Sequence, residues 1–263
     1  MRGPSRFYQQ GLRRSKTLLC LSAFAFLLSC AKPKSEVPAP PVAQAPSGPS
    51  GWVEGRVTAR GKLPPLHPHR VDGSLLKQCG LETPDLSLVV APSGALQFAV
   101  VSISDTAPTP LPPAFAPALL DQRGCIYRPP VVATRAGASL LVRNSDPLLH
   151  NVRAMDDGAP VFNVMMPIEH LTIDKKLPTA PGLVQLQCDV HPWMHATVVT
   201  FAHDLYAVTD ADGRFRIDGV PAGHHPLKLW HPRLGELTVG LDVHPDAGTA
   251  VETGWEVSDN PAP

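Results

Sequence analysis

Proline and glycine interrupt this chain so often that long helices have little room to form: 31 prolines and 20 glycines fall among many short apolar runs. The chain has 263 residues, 43% of them hydrophobic and only 6% aromatic, which is enough for one or two domains with a real core. The expectation is an all-β protein of short strands and turns. From Gly51, Trp-Val-Glu-Gly-Arg-Val-Thr alternates sides as a half-buried strand, closed by the turn residues that follow Ala59. Leu86 to Val90, Leu96 to Ile103 and Ser139 to Arg143 read as further strands, separated by breakers such as Ala91-Pro92-Ser93-Gly94. The five prolines between Pro108 and Pro117 make that stretch a loop, with Ala118-Leu119-Leu120 at most a helical turn. Leu183 to Gln187 and Thr197 to Phe201 are two strands joined by a short loop. Tyr206 to Ile217 reads as a hairpin around an Asp-Gly turn, and Pro226 to Trp230 and Leu237 to Val243 continue the β pattern. Asp210 and Asp212 read as turn residues, because the acids of a calcium loop would continue over about twelve residues and here they stop.

Residues 1–29 read as an export signal peptide. Arg2, Arg6, Arg13, Arg14 and Lys16 form a basic region with no acid, and Leu18 to Leu28 form an apolar run too short to span a bilayer comfortably. The run ends in Leu27-Leu28-Ser29-Cys30, which resembles the lipobox of bacterial lipoproteins. That resemblance implies cleavage before Cys30 and attachment of lipid to its sulfur. Residues 30–50 are the lipidated cysteine and a proline-rich tether, able to hold the folded part up to roughly 60 Å from the membrane in extended polyproline geometry. The expected location is a bacterial cell envelope, with the protein lipid-anchored and facing the periplasm or the cell surface. Removing the signal leaves 18 Lys and Arg against 23 Asp and Glu, a mildly acidic balance that argues against a nucleic-acid partner.

Five cysteines then sort by export. Cys20 leaves with the signal and Cys30 takes the lipid. Cys79 and Cys125 sit in turn-like surroundings and form the natural disulfide in an oxidising compartment. Cys188 is left over, as a ligand or a liability. Pairing of Cys188 with Cys79 or Cys125 is the alternative, and it would remove any metal site.

The neighbours of Cys188 point to a ligand. Cys188-Asp-Val-His191-Pro-Trp-Met194 places a thiolate, an imidazole and a thioether within seven residues, a donor set that soft or borderline metals prefer. His150, in Asp146-Pro-Leu-Leu-His150-Asn151-Val152, offers a second nitrogen 38 residues upstream. Two nitrogens, one thiolate and a weak axial thioether make the ligand set of a mononuclear type 1, or blue, copper site. The Cys-x2-His-x2-Met loop with Pro192 after the histidine resembles the cupredoxins, specifically the amicyanin-like proteins, as does the upstream His-Asn-Val. The resemblance implies a Greek-key β-sandwich over residues 84–203 and one Cu(I)/Cu(II) ion held by His150, Cys188, His191 and Met194. It also implies that Asn151 ties the two ligand-bearing loops together, and that His191, with Pro192 and Trp193, lies near the surface as the electron entry point. His195, directly after Met194, departs from the usual small residue. With His150, Cys188 and His191 it would also satisfy a closed zinc site. Met165 and Met166 read as core or pocket lining, and His67, His69, His170, His203, His224, His225, His231 and His244 as surface or hydrogen-bonded histidines.

Val208-Thr-Asp-Ala-Asp-Gly-Arg-Phe-Arg-Ile-Asp-Gly-Val-Pro-Ala-Gly resembles the carboxypeptidase regulatory-like β-sandwich, and Gly51-Trp-Val-Glu-Gly-Arg-Val-Thr resembles its opening strand. The resemblance implies a second sandwich of residues 51–75 plus 204–257, with the copper domain inserted between them. The functional expectation is a tethered electron-transport protein that serves an unidentified redox partner. No enzyme is expected: all four ligand positions are filled, and no Ser-His-Asp set, phosphate loop or second metal cluster accompanies them, so no small-molecule substrate is assigned. The alternatives are copper storage or delivery, with His195, Met165 and Met166 as accessory ligands, and a structural or adhesive surface lipoprotein with a zinc-filled or empty site.

Overall fold

Alternation decides which face of the strand Ser50–Gly61 is buried: Val53, Val57 and Ala59 point inward, and Glu54 and Arg60 face solvent. The computed structural model, which describes residues 48–71 and 73–258, has nearly all of its regular secondary structure in strands. The expected signal peptide, Cys30 and nearly all of the tether lie outside the described residues. Among the described residues no helix is long and apolar enough to cross a membrane.

Ser50–Gly61 is the centre of a three-stranded sheet, antiparallel to Arg214–Pro221 and parallel to Gly248–Val257. Gly55 has no room for a side chain there, since a Cβ would run into the Val251 carbonyl of the parallel neighbour. A four-stranded sheet faces it, in the order Tyr206–Val208, Val100–Ile103, Gly223–His231, Gly235–Val243. Val53, Val57, Phe215 and Ile217 from one sheet meet Val101, Ile103, Leu227 and Leu229 from the other in one apolar core. This is the first sandwich.

The second sandwich packs Thr172–Lys176, Ser139–Asn144, Ala118–Gln122 and Tyr127–Arg128, in that order, against a five-stranded sheet. That sheet runs Ala159–Met166, His150–Asp156, Gly182–Gln187, His195–Phe201, Val131–Arg135. Its core joins Leu120, Leu140 and Val142 to Val152, Val184 and Val198. The chain therefore leaves the first sandwich after Ile103 and returns to it at Tyr206.

Both covalent crossings are held by one side chain. Arg135, only 2% exposed, bonds the Asp204 carboxylate at 2.8 Å and the Ala202 carbonyl at 3.1 Å on the returning segment, and the Thr109 carbonyl on the outgoing one. A small apolar seam of Val100, Val131 and Val199, flanked by Phe98, Phe201 and Trp230, fills the space between the sandwiches.

Four expectations change here. Residues 84–103, expected with the second sandwich, contribute their longest strand to the first. Val100–Ile103 pairs with Tyr206–Val208 and Gly223–His231, and it reads as continuous apolar sequence because one face lies in the first core and the other in the seam. The run Leu96 to Ile103 is broken at Phe98, whose φ is 66°. The expected hairpin around Asp212-Gly213 is a corner: the turn forms, with Asp210 Oδ1 accepting the amides of Asp212 and Arg214, but its arms enter different sheets. Buried Thr209 fixes the first arm by accepting the Ala99 amide and donating to the Leu96 carbonyl. Ala118–Gln122 is a strand rather than a helical turn, because so short a segment cannot nucleate a helix, while parallel pairing with Ser139–Asn144 satisfies its backbone.

Residues 69–83 also depart from the expected grouping of 51–75 with the first sandwich. His69–Arg70 pairs with Glu82–Thr83 around the short helix Leu76–Cys79, and a disulfide joins Cys79 to Cys125. Val71, Leu75, Cys79, Cys125, Leu148 and Trp193 pack together, so this segment forms a cap on the second sandwich.

Candidate metal centre

Two loops at one end of the second sandwich meet under the cap. The upstream loop is shaped by Asn144, fully buried at the end of its strand. Its Nδ2 donates to the carbonyls of Leu148 (2.9 Å) and Met166 (2.8 Å), and its Oδ1 accepts the Asp146 amide at 3.0 Å. Asp146 in turn accepts the amides of Gly124 (2.7 Å) and Cys125 (2.9 Å) and bonds His150 Nε2 at 2.9 Å. That last contact fixes the ring and turns Nδ1 toward the second loop.

The second loop joins Gly182–Gln187 to His195–Phe201 and closes on itself. The Cys188 amide donates to the Met194 carbonyl (3.2 Å), the Met194 amide to the His191 carbonyl (2.9 Å), and the His191 amide to Cys188 Sγ (3.4 Å). Pro192 occupies the exposed tip, where no amide is needed.

His150 Nδ1 and His191 Nδ1 lie 2.9 Å apart, and His191 Nδ1 lies 3.8 Å from Cys188 Sγ. The ligand atoms of these three residues are all within 4.8 Å of one another, and neither they nor Met194 expose any surface. Met194 belongs to the same apolar cluster as Cys188. Cys188 is the free cysteine among the described residues, the other two being joined in the disulfide.

Asn151 bridges the loops. Its Oδ1 accepts the Asp189 amide at 2.6 Å and sits 3.3 Å from Cys188 Sγ, while its Nδ2 donates to Asn163 Oδ1 and Asp189 Oδ2, both at 2.9 Å. Tyr127 donates its hydroxyl to the Asn151 carbonyl at 2.6 Å.

Charge is organised around the same atoms. Burial pushes the Cys188 thiol up, but hydrogen bonds from the His150 and His191 rings and from the amides of Asn151 and His191 outweigh it and hold the thiol down to about 5. Burial likewise works against a charged His150, yet its bonds to Asp146 and Cys188 raise it above the ordinary imidazole value. Asp146 lies below the usual carboxylate range, its burial outweighed by His150 and the two loop amides. Tyr127 is pushed well up, by burial first and then by the negative charges of Cys188 and Asp189, so it remains a neutral donor. Asp146 and Cys188 thus flank the His150 ring and favour its charged form. A metal ion taking the proton's place would meet two imidazole nitrogens and a sulfur already facing one another, and the donor set fits such an ion.

His195 is exposed at the start of its strand, opposite Gln187, and stands outside the cluster of His150, Cys188 and His191, so the four-residue zinc set is not assembled. Met166 is core, and Met165, 62% exposed, points away on the same strand. The expected position of His191 near the surface is not found. Pro192 is exposed and Trp193 partly so, but His191 is fully buried: the Trp193 ring lies against it at 5.3 Å, fixed by donation from Nε1 to the Cys125 carbonyl (2.9 Å) and stacked at 6.3 Å by His69 of the cap. Asn144, Asp146 and Tyr127 were not singled out from sequence. Asn144-Ser-Asp146-Pro reads as turn chemistry, and that turn is what aims His150.

No protein-family model matches the chain, and no curated protein matches it. Among solved structures it is similar to the reduced state of an amicyanin mutant (20% identity, 38% of this chain and 98% of that chain, TM-score 0.29). It is also similar to amicyanin from Paracoccus versutus (18% identity, 38% and 97%, TM-score 0.29) and to a purple cupredoxin from Nitrosopumilus maritimus (20% identity, 32% and 99%, TM-score 0.28).

Proposed function

We propose that the second sandwich is a cupredoxin-type electron carrier that holds one copper ion through His150, Cys188, His191 and Met194. The observation that carries this reading is the convergence, without solvent exposure, of two imidazole Nδ1 atoms and a thiol held down to about 5. Bound there, copper would supply a one-electron couple between Cu(I) and Cu(II). Asp146 holds the His150 ring, Asn151 holds the two loops at a set distance around the sulfur, and the Cys188 to Met194 hydrogen bonds close the loop. A site so braced changes little between two oxidation states, which suits electron transfer more than storage. None of the four proposed ligands exposes any surface, which supports a carrier over a protein that hands its metal on.

The Cys79–Cys125 disulfide supports maturation in an oxidising compartment. Together with the basic and apolar N-terminal residues and Cys30, it supports a lipoprotein tethered to a bacterial membrane and facing the periplasm or the cell surface, with a redox protein as partner. The visible and EPR spectra of the Cu(II)-loaded protein test the metal site. An intense blue thiolate band with narrow copper hyperfine splitting, absent in Cys188→Ala, is expected. A colourless protein that retains zinc or no metal overturns the reading.

A further inference from the structure

A buried His191 leaves the electron without the short path that an exposed ligand edge would provide. Its Nε2 has no hydrogen-bond partner and no contact with solvent, and the ring is covered by Trp193. Trp193 cannot swing aside freely, because its Nε1 donates to the Cys125 carbonyl and Cys125 is covalently joined to the cap through Cys79. Trp193 also stacks on His69, with an interplanar angle of 24°, and His69 is exposed. His69 and Trp193 also line a cavity of about 270 Å³ between the cap and the two sandwiches, so Trp193 is partly exposed where His191 is not. Trp193 therefore adjoins both the buried ring of His191 and the exposed ring of His69, at 5.3 and 6.3 Å between centroids.

Resting on the copper reading above, we propose that electrons enter and leave the site through the cap, by way of His69 and Trp193. The step is outer-sphere: a one-electron reductant is oxidised by one electron, the site is reduced by one, and no bond or proton moves. The two rings are not themselves oxidised; they supply a contiguous π path in place of a gap. His69 becomes the contact point for a redox partner, and the disulfide acquires a second role, since it holds the cap that carries His69 to the segment that fixes Trp193.

The test uses the full copper-loaded protein and hexaammineruthenium(II) as reductant, followed by stopped flow at the blue band. His69→Ala, a change at an exposed residue, is expected to keep the band and the midpoint potential while slowing reduction several-fold. Trp193→Leu slows it further, and Trp193→Phe, which restores a ring, recovers most of the rate. A readout on metal-free protein accompanies this: diethyl pyrocarbonate modification mapped by mass spectrometry should label His69 and His195 and spare His191 until Cys79→Ser frees the cap. Unchanged rates in His69→Ala and Trp193→Leu, or labelling of His191 as fast as His69 in the intact protein, overturn the proposal and assign the route to the exposed Pro192 tip. A wild-type protein without a blue band sinks the copper reading as well, whereas a blue band with unchanged rates sinks this inference alone.

Discussion

The two sandwiches bury different kinds of side chain. Those of the first are nearly all aliphatic or aromatic, with Ser102, Thr209 and His231 as its buried polar groups among the described residues. The second, with the loops at its end, buries Asp121, Gln122, Arg135, Asn144, Asp146, His150, Asn151 and His191. A buried polar group is costly unless paired, and in the loops these groups are paired in a chain, with His191 Nε2 left out of it: amides to Asp146, Asp146 to His150, Asn144 to four backbone groups, Asn151 to both loops. One sandwich is held by volume and the other, at its working end, by direction. Stability and metal binding should therefore separate under mutation.

The largest effect is expected from Leu229→Ala in the first core. Leu229 is fully buried, and its truncation leaves a cavity that costs about 2–5 kcal/mol. Denaturant midpoints should fall accordingly, while the Cu(II) spectrum of the folded variant stays as in the wild type. Loss of the spectrum in a variant that remains folded would mean that the donor cluster relies on the first sandwich for its geometry.

His231 offers a second way to break the contrast, being the titratable group buried in the first sandwich. Burial first, and then the charge of Arg233, pushes its pKa down from 6.5 to about 4, and its Nδ1 accepts the Arg233 amide at 3.2 Å as a neutral ring must. Between pH 6.5 and 4 the unfolded chain binds the proton and the folded one does not. Stability thus falls as the pH drops through that window, by about 3 kcal/mol in total. His231→Gln, which keeps an acceptor and cannot titrate, should flatten the slope in urea titrations between pH 7 and 4. An unaltered slope would move the acid sensitivity elsewhere.

What could be read beforehand follows the same division. The ligand loop was legible because Cys188, His191 and Met194 are local, and a loop of seven residues needs no tertiary information to suggest its donor set. Cys79 and Cys125 were legible because assigning Cys20 and Cys30 to the expected export signal leaves few other thiols to pair. The alternation of Ser50–Gly61 marked its buried face directly. Val100–Ile103 misled because a strand buried on both faces carries no period to say which sheet it joins. The burial of His191 could not be seen at all, since it depends on His69 and Cys79 being brought over Trp193 from more than a hundred residues away. Asp146 was hidden in another way: its sequence context is that of any turn, and only the fold shows that the turn serves to hold a ring.

The smallest effects sharpen the comparison most, because similar ion pairs occur on both sandwiches. Arg216 bonds Glu54 at 2.8 Å on the first, with the two side chains 47% and 49% exposed. Arg153 bonds Asp189 at 2.7 Å on the second, with 36% and 44% exposed. Solvent screens both, so Arg216→Ala and Arg153→Ala should each shift the denaturation midpoint only slightly, and high salt should remove the difference from wild type. The pairs differ in what the acid does next. Glu54 ends its chain of contacts at Arg216, whereas the Asp189 carboxylate also accepts from Asn151 Nδ2, and its amide donates to the Asn151 Oδ1 that lies beside the Cys188 sulfur. Arg153 contributes the largest part of holding the Asp189 carboxyl below its ordinary range, so removing it loosens the acid that braces Asn151. Arg153→Ala should therefore shift the thiolate-to-copper band and weaken copper retention in a chelator competition, while Arg216→Ala does neither. Equal silence from both variants would mean that Asn151 is held by Asn163 and the loop backbone alone.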